Sequence, residues 1–191
     1  MSQHIPLLLQ KRHILPTGRM FIRILPGVQT ETLKASLEDC SELGICMYEN
    51  TDKDQRFYHI ATRVHVDDFD LAIYDNSLTI NISGIDNGFI NEIRQDHEGV
   101  IWGDYSSIPK WQEMKTQQTH KLLAERLEIM YRSHPELAQQ HQEKQFDNLT
   151  WLCQRWLEIL PLPTSEKQLL MNRPNCLDTC DYLMSMMLEP H

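Results

Sequence analysis

The run SLTINISGI, residues 77–85, sets large apolar side chains at Leu78, Ile80 and Ile82 against Thr79, Asn81 and Ser83. Successive side chains of a strand point to opposite faces, so a period of two belongs to a strand with one face in a core and the other in water. Shorter stretches of similar character recur through the N-terminal half, at residues 5–9, 19–25, 43–49, 57–66, 89–95 and 100–105, with a further short strand expected at 71–74. Many short strands divided by turn residues predict a small barrel or sandwich. In this half only residues 28–40 read as a helix: Val28, Leu33 and Leu37 fall on one side, Gln29, Glu31, Lys34 and Glu38 on the other, after Pro26 and Gly27 and with Thr30 as a cap. The polar NTDKDQ, residues 50–55, predicts a hairpin tip.

Beyond Trp111 the period changes. Leu149, Leu152, Cys153, Trp156 and Leu160 follow the i, i+3, i+4, i+7, i+11 spacing of one helix face, which predicts a helix over 148–160. Leu123, Leu127, Met130 and Tyr131 form the stripe of another, expected over 114–131 and broken at Pro135. Ser165 with Gln168 spells a capping box for a short helix ending near Pro174, and Asn175 is placed to cap a last helix carrying Leu177, Cys180, Leu183, Met184 and Met187. The expected architecture is α+β, a β-rich domain over 1–111 followed by a helical bundle over 112–191.

With 41% hydrophobic and 24% charged residues the 191-residue chain has what a globular fold needs. Residues 5–9 lack the basic flank and cleavage site of a signal peptide, and the longest apolar runs fall far short of a membrane span, so a soluble cytoplasmic protein is expected. Five cysteines, an odd number, favour reduced thiols. The net charge of −9, acidic in both halves, lacks the basic stripe that phosphate neutralisation requires and disfavours nucleic acid as a partner.

Four acids, Asp67, Asp68, Asp70 and Asp75, crowd the segment VHVDDFDLAIYDNS and raise the question of a metal site. Asp and Asn side chains bond nearby backbone groups, so DDFD and YDNS read more simply as two chain corners, and the spacing of a calcium-binding loop is absent. Cys176 and Cys180, four apart, share a helix face but supply two of the four ligands that zinc takes. His134 and His141, with His120 upstream, read as a solvated polar face. There is no G-x-x-x-x-G-K-[ST], H-E-x-x-H, G-x-S-x-G or G-x-G-x-x-G. No catalytic residue, metal or cofactor is expected. Met47, Tyr48, Phe57 and Tyr58, either side of the hairpin tip, are the candidate polypeptide-binding residues, since some of them must face outward on alternating strands.

The order of these segments resembles the Lon substrate-binding domain family. IPLLLQKRHILPTGRMFIRIL is similar to that family's opening strand, apolar-Pro-x-Gly turn (Leu15, Pro16, Thr17, Gly18) and second strand. LGICMYE resembles its next strand, and IATRVHVDDFDLAIYDNSLTINISGI its strand, acidic corner and strand. WLCQRWLEILPLPTSEKQLLMNRPNCLDTCDYLMSMML resembles its closing helices. The chain departs from the pattern at Ala61, where Gly is usual, and at Asp86, Asn87, Gly88 and Phe89, where an Arg-rich strand is usual.

The resemblance implies a PUA-like β pseudo-barrel joined to a helical bundle, standing free of the ATPase and protease modules of Lon. It also implies a non-catalytic module that captures unfolded or partly folded polypeptides alongside a protease or chaperone. Two alternatives stay open: an enzyme or small-ligand-binding protein with a pocket between barrel and bundle, and a PUA-like RNA binder, which the charge disfavours.

Overall fold

The computed structural model of the chain describes residues 3–38, 42–50, 55–72, 74–75, 77–141 and 143–188. Cys40 and residues 51–54 of the expected hairpin tip lie outside the described residues. The chain forms two compact units, Met1–Ile108 and Pro109–His191.

Six strands build the first unit: β1 (Gln3–Gln10), β2 (Arg19–Ile24), β3 (Leu43–Asn50), β4 (Gln55–Leu71), β5 (Leu78–Gln95) and β6 (Ile101–Ser107). They run in the order β2-β5-β4-β3-β1-β6, and β5 also pairs with β6. Strands β5, β4, β3, β1 and β6 therefore close a ring, and β2 lies against the first part of β5, from Arg19 opposite Ser83 to Ile24 opposite Leu78. The ring fits the PUA-like pseudo-barrel, and with the helices the chain is α+β. β1 and β3 pair in parallel, which demands a crossover; β2 and α1 (Val28–Glu38) supply it.

The alternation in 77–85 does what its period requires. Ile80 and Ile82 are fully buried among Met20, Ile22 and Ile24 of β2 and Leu33 of α1. A second cluster gathers Ile5, Leu7, Cys46, Ala61, Ile90 and Tyr105. Each such aliphatic side chain contributes roughly 2 kcal/mol of burial.

Three expectations fail in this unit. The strands read at 77–85 and 89–95 are one strand, β5, because Asp86 to Gly88 form no turn: Asn87 pairs with Thr62, and Gly88 pairs with both Ala61 and Ser107. Gly88 is needed for closeness, since a Cβ there would stand 2.3 Å from the Tyr105 ring. Nor is DDFD a corner. β4 continues through it to Leu71, opposite Leu78, taking a bulge between Val66 and Asp68, and the chain turns only afterwards, where the Ala72 N–H donates to the Ser77 carbonyl at 2.9 Å. The separate strand expected at 71–74 is absent from the described part of that stretch.

The second unit holds α2 (Lys121–Ser133), α3 (Pro135–Gln140), α4 (Leu149–Ile159), α5 (Thr164–Met171) and α6 (Leu177–Leu188). Asn148 caps α4, its Oδ1 accepting from the Trp151 N–H at 3.1 Å, and the Asn175 Oδ1 accepts from the first amide of α6 at 2.9 Å. Leu123, Leu127, Leu152, Trp156, Cys180 and Leu183 lie in its core. The helix expected from residue 114 starts later. The backbone at Met114 to Thr116 is extended and bonded to residues 147–149, including Leu149 N–H to Met114 C=O at 2.6 Å, and a 3₁₀ turn at Gln118–His120 precedes α2. The Ser165 capping box does not form: the helix begins at Thr164 with Pro163 at its N-cap, which puts Ser165 inside the first turn instead of at the cap.

Candidate functional site

Strands β3 and β4 carry the residues singled out on either side of the hairpin. Tyr48 stands directly opposite Phe57, so the two share a face, and Phe57 packs against the second core cluster. Tyr58 faces the other way: its hydroxyl donates to Glu49 at 3.0 Å and its ring lies 5.8 Å from the Arg56 guanidinium. Met47 is only 3% exposed. β3 lies between β1 and β4 and is buried at every position from Leu43 to Met47, so both of its faces are covered there and alternation leaves Met47 no outward side. The fold thus brings Tyr48 and Phe57 together as a half-buried pair, sets Tyr58 on the opposite face and takes Met47 into the core.

Larger apolar exposure lies elsewhere on the sheet. On β2, Arg19, Phe21 and Arg23 point outward while Met20, Ile22 and Ile24 are buried. Phe21 is 50% exposed. Among the described residues β2 has a strand neighbour on one side only, β5, which leaves its other backbone edge without a strand partner. The alternation of RMFIRI was a signal for an outward Phe21; that β2 forms an edge follows from pairings far along the chain.

The acids do not converge. Asp67 accepts from the Ser83 hydroxyl at 3.0 Å, Asp68 from the Phe69 amide at 2.8 Å, and Asp75 from the Ser77 amide at 3.0 Å and from Arg23 at 3.2 Å. Hydrogen bonds from Ser77, with Arg23 beside it, hold the Asp75 carboxyl below the usual range. Among the described residues no group of three or more His, Cys, Asp or Glu side chains is arranged to hold a metal ion.

The strongest electrostatic feature is one that sequence reasoning missed. Buried Asp86 accepts from Arg63 through both carboxylate oxygens, from the Tyr105 hydroxyl at 2.7 Å and from the Ser107 hydroxyl at 3.1 Å. Arg63 also reaches Glu42. Burial alone would raise the Asp86 carboxyl, but the guanidinium and the two hydroxyls outweigh it and hold it below the usual range. Burial, then the bond to Asp86, pushes the Tyr105 phenol up. With donor and acceptor satisfied on β4, β5 and β6, the cluster locks the ring.

In the helical unit His141 corrects the solvated-face reading. It is 7% exposed, stacked 6.0 Å from Tyr131 with its Nε2 4.0 Å from Glu158. The chain breaks at Pro135 and packs His141 against the core, so it shares no helix face with exposed His134. Cys153 joins Cys176, its thiol donating to the Cys176 carbonyl at 3.7 Å, and Thr150 donates to the Cys176 sulfur at 3.5 Å. Cys46, Cys153, Cys176 and Cys180 are all free and buried. Burial pushes the Cys46 thiol up to about 12.

No protein-family model and no curated protein matches the sequence. The structure is similar to the crystal structure of a Lon N-terminal domain protein from Xanthomonas campestris, with a TM-score of 0.74 and 20% identity over 98% of this chain and 99% of that one. It is also similar to the N-terminal domain of the Mycobacterium avium complex Lon protease, with a TM-score of 0.65 and 13% identity over 96% and 97% of the two chains. The chain has the Lon N-terminal domain fold.

Proposed function

We propose that this chain is a non-catalytic polypeptide-recognition module acting in the cytoplasm, where it hands unfolded or partly folded chains to a protease or chaperone. The observation that carries the reading is the backbone edge of β2 that has no strand partner among the described residues, beside the outward Phe21. An extended peptide adds to such an edge as a further strand, main-chain hydrogen bonds giving affinity and side chains giving preference. Arg19, on one side of Phe21, favours segments with an acidic residue near an apolar one, while Arg23 on the other side is already engaged by Asp75. The Tyr48–Phe57 pair offers a second apolar contact at the rim, with Tyr58 on the reverse face. Buried free thiols suit a reducing compartment.

Fluorescence anisotropy with a labelled, permanently unfolded polypeptide tests this. Saturable micromolar binding is expected, weakened roughly tenfold by Phe21→Asp, whose site is exposed enough to leave the fold intact. Binding no stronger than that of a folded control protein, or unchanged in Phe21→Asp, would refute the reading.

A further inference from the structure

The helical unit carries a cavity of about 450 Å³ that the polypeptide reading does not use. Three helices build it from one face each. α2 gives Arg126, Ile129, Met130 and Ser133, with His134 just past its end; α4 gives Trp156, with Leu160 just past its end; α6 gives Leu183, Met186 and Met187. Ile129, 59% exposed, stands at the mouth.

The volume lies within the range of about 300–1,000 Å³ that small-molecule sites occupy. Methionines on two of its walls, Met130 on one and Met186 and Met187 on the other, are unbranched and adjust to a narrow, irregular guest. The polar groups are few and asymmetric. The Ser133 hydroxyl is spent on the Ile129 carbonyl at 3.0 Å, and the His134 Nδ1 lies 3.2 Å from the Met130 carbonyl. Arg126 remains the charged donor of the lining, with no acidic side chain among the described lining residues, in a chain of net charge −9. A groove that is cationic at one end on an acidic protein selects an anionic head joined to an apolar body. From Arg126 to Ser133 the α2 axis advances about 10 Å at about 1.5 Å per residue, the order of length of a medium-length extended alkyl chain.

We propose that this groove binds a medium-chain alkyl carboxylate, the chain lying over Trp156 and Leu183 and the carboxylate paired with the Arg126 guanidinium. The site is independent of the β2 edge and does not rest on the polypeptide reading.

Decanoate, below its aggregation concentration, is the probe. It is expected to bind saturably and raise the melting temperature, because it binds the native state alone. Decyltrimethylammonium is expected to do neither. Decanoate brominated at its terminal carbon should quench tryptophan fluorescence, and Trp156→Phe should remove most of that quenching. Arg126→Glu and Ile129→Glu, both at exposed positions that leave the fold intact, should weaken decanoate roughly tenfold or more, whereas Phe21→Asp should not change it. Equal binding of the cationic and anionic amphiphiles, unchanged affinity in Arg126→Glu, or quenching that survives in Trp156→Phe would overturn the proposal. Displacement of bound decanoate by an unfolded polypeptide, in wild type and Phe21→Asp alike, would assign the groove to peptide and overturn it too.

Discussion

Arg63 and Asp86 meet through two side-by-side hydrogen bonds, Nε to Oδ1 at 2.8 Å and Nη2 to Oδ2 at 2.7 Å, across the paired strands β4 and β5. Losing Asp86 takes away the buried carboxylate that receives Arg63, Tyr105 and Ser107 and leaves Glu42 as the guanidinium's remaining acidic partner. Asp86→Ala is therefore expected to cost about 3 kcal/mol, measured as a fall in the urea midpoint. The same pair sets a pH dependence. The folded carboxyl lies below its unfolded value of about 3.9, so its contribution is complete above that pH and is lost as pH falls through the folded value. Stability measured between neutral and strongly acid pH should fall less steeply in Asp86→Asn than in wild type.

Gly88→Ala probes the close approach of two strands. The added methyl would meet the Tyr105 ring at 2.3 Å and the Ser106 carbonyl oxygen at 2.7 Å, and neither gives way without disturbing the Asp86 cluster. A loss of about 2 kcal/mol or more is expected in thermal denaturation.

Asn148→Ala removes the oxygen that receives the Trp151 amide at the start of α4. About 1 kcal/mol should be lost, and Asn148→Asp, which keeps an acceptor, should recover most of it.

Thiol accessibility gives a fourth check. In a Cys40→Ser background, the remaining Cys46, Cys153, Cys176 and Cys180 are all buried and should react with a thiol reagent only as the protein unfolds. Prompt reaction of any of them in the native protein would contradict the packing described.

Local periodicity made much of this fold legible. Leu78, Ile80 and Ile82 announced their strand, and Leu149, Leu152, Cys153 and Trp156 their helix, because in each the spacing matches the face that becomes buried. The misreadings share a cause: a local signal was outweighed by a distant partner. Asp86-Asn87-Gly88 has turn chemistry but is held straight by β4 and β6, and Met114 has helical neighbours but spends its carbonyl on Leu149. Met47 is inward because β3 is covered on both faces between β1 and β4, which its own residues do not mark. Of the candidate surface, Tyr48 and Phe57 were placed together by strand alternation. The strand-free edge of β2 and the groove under Arg126 arise from which elements become neighbours, and nothing in the linear order of residues states that.

The pairing of Gln3 with Tyr105 sets the order in which the barrel is completed. β1 leaves the ribosome with one of its two flanks waiting until the last strand of the unit has been made, about a hundred residues of synthesis later at roughly 5–20 residues per second. For those seconds β1 is a hydrophobic ribbon with a bare side, of the same kind of unfinished chain that we propose the completed molecule holds.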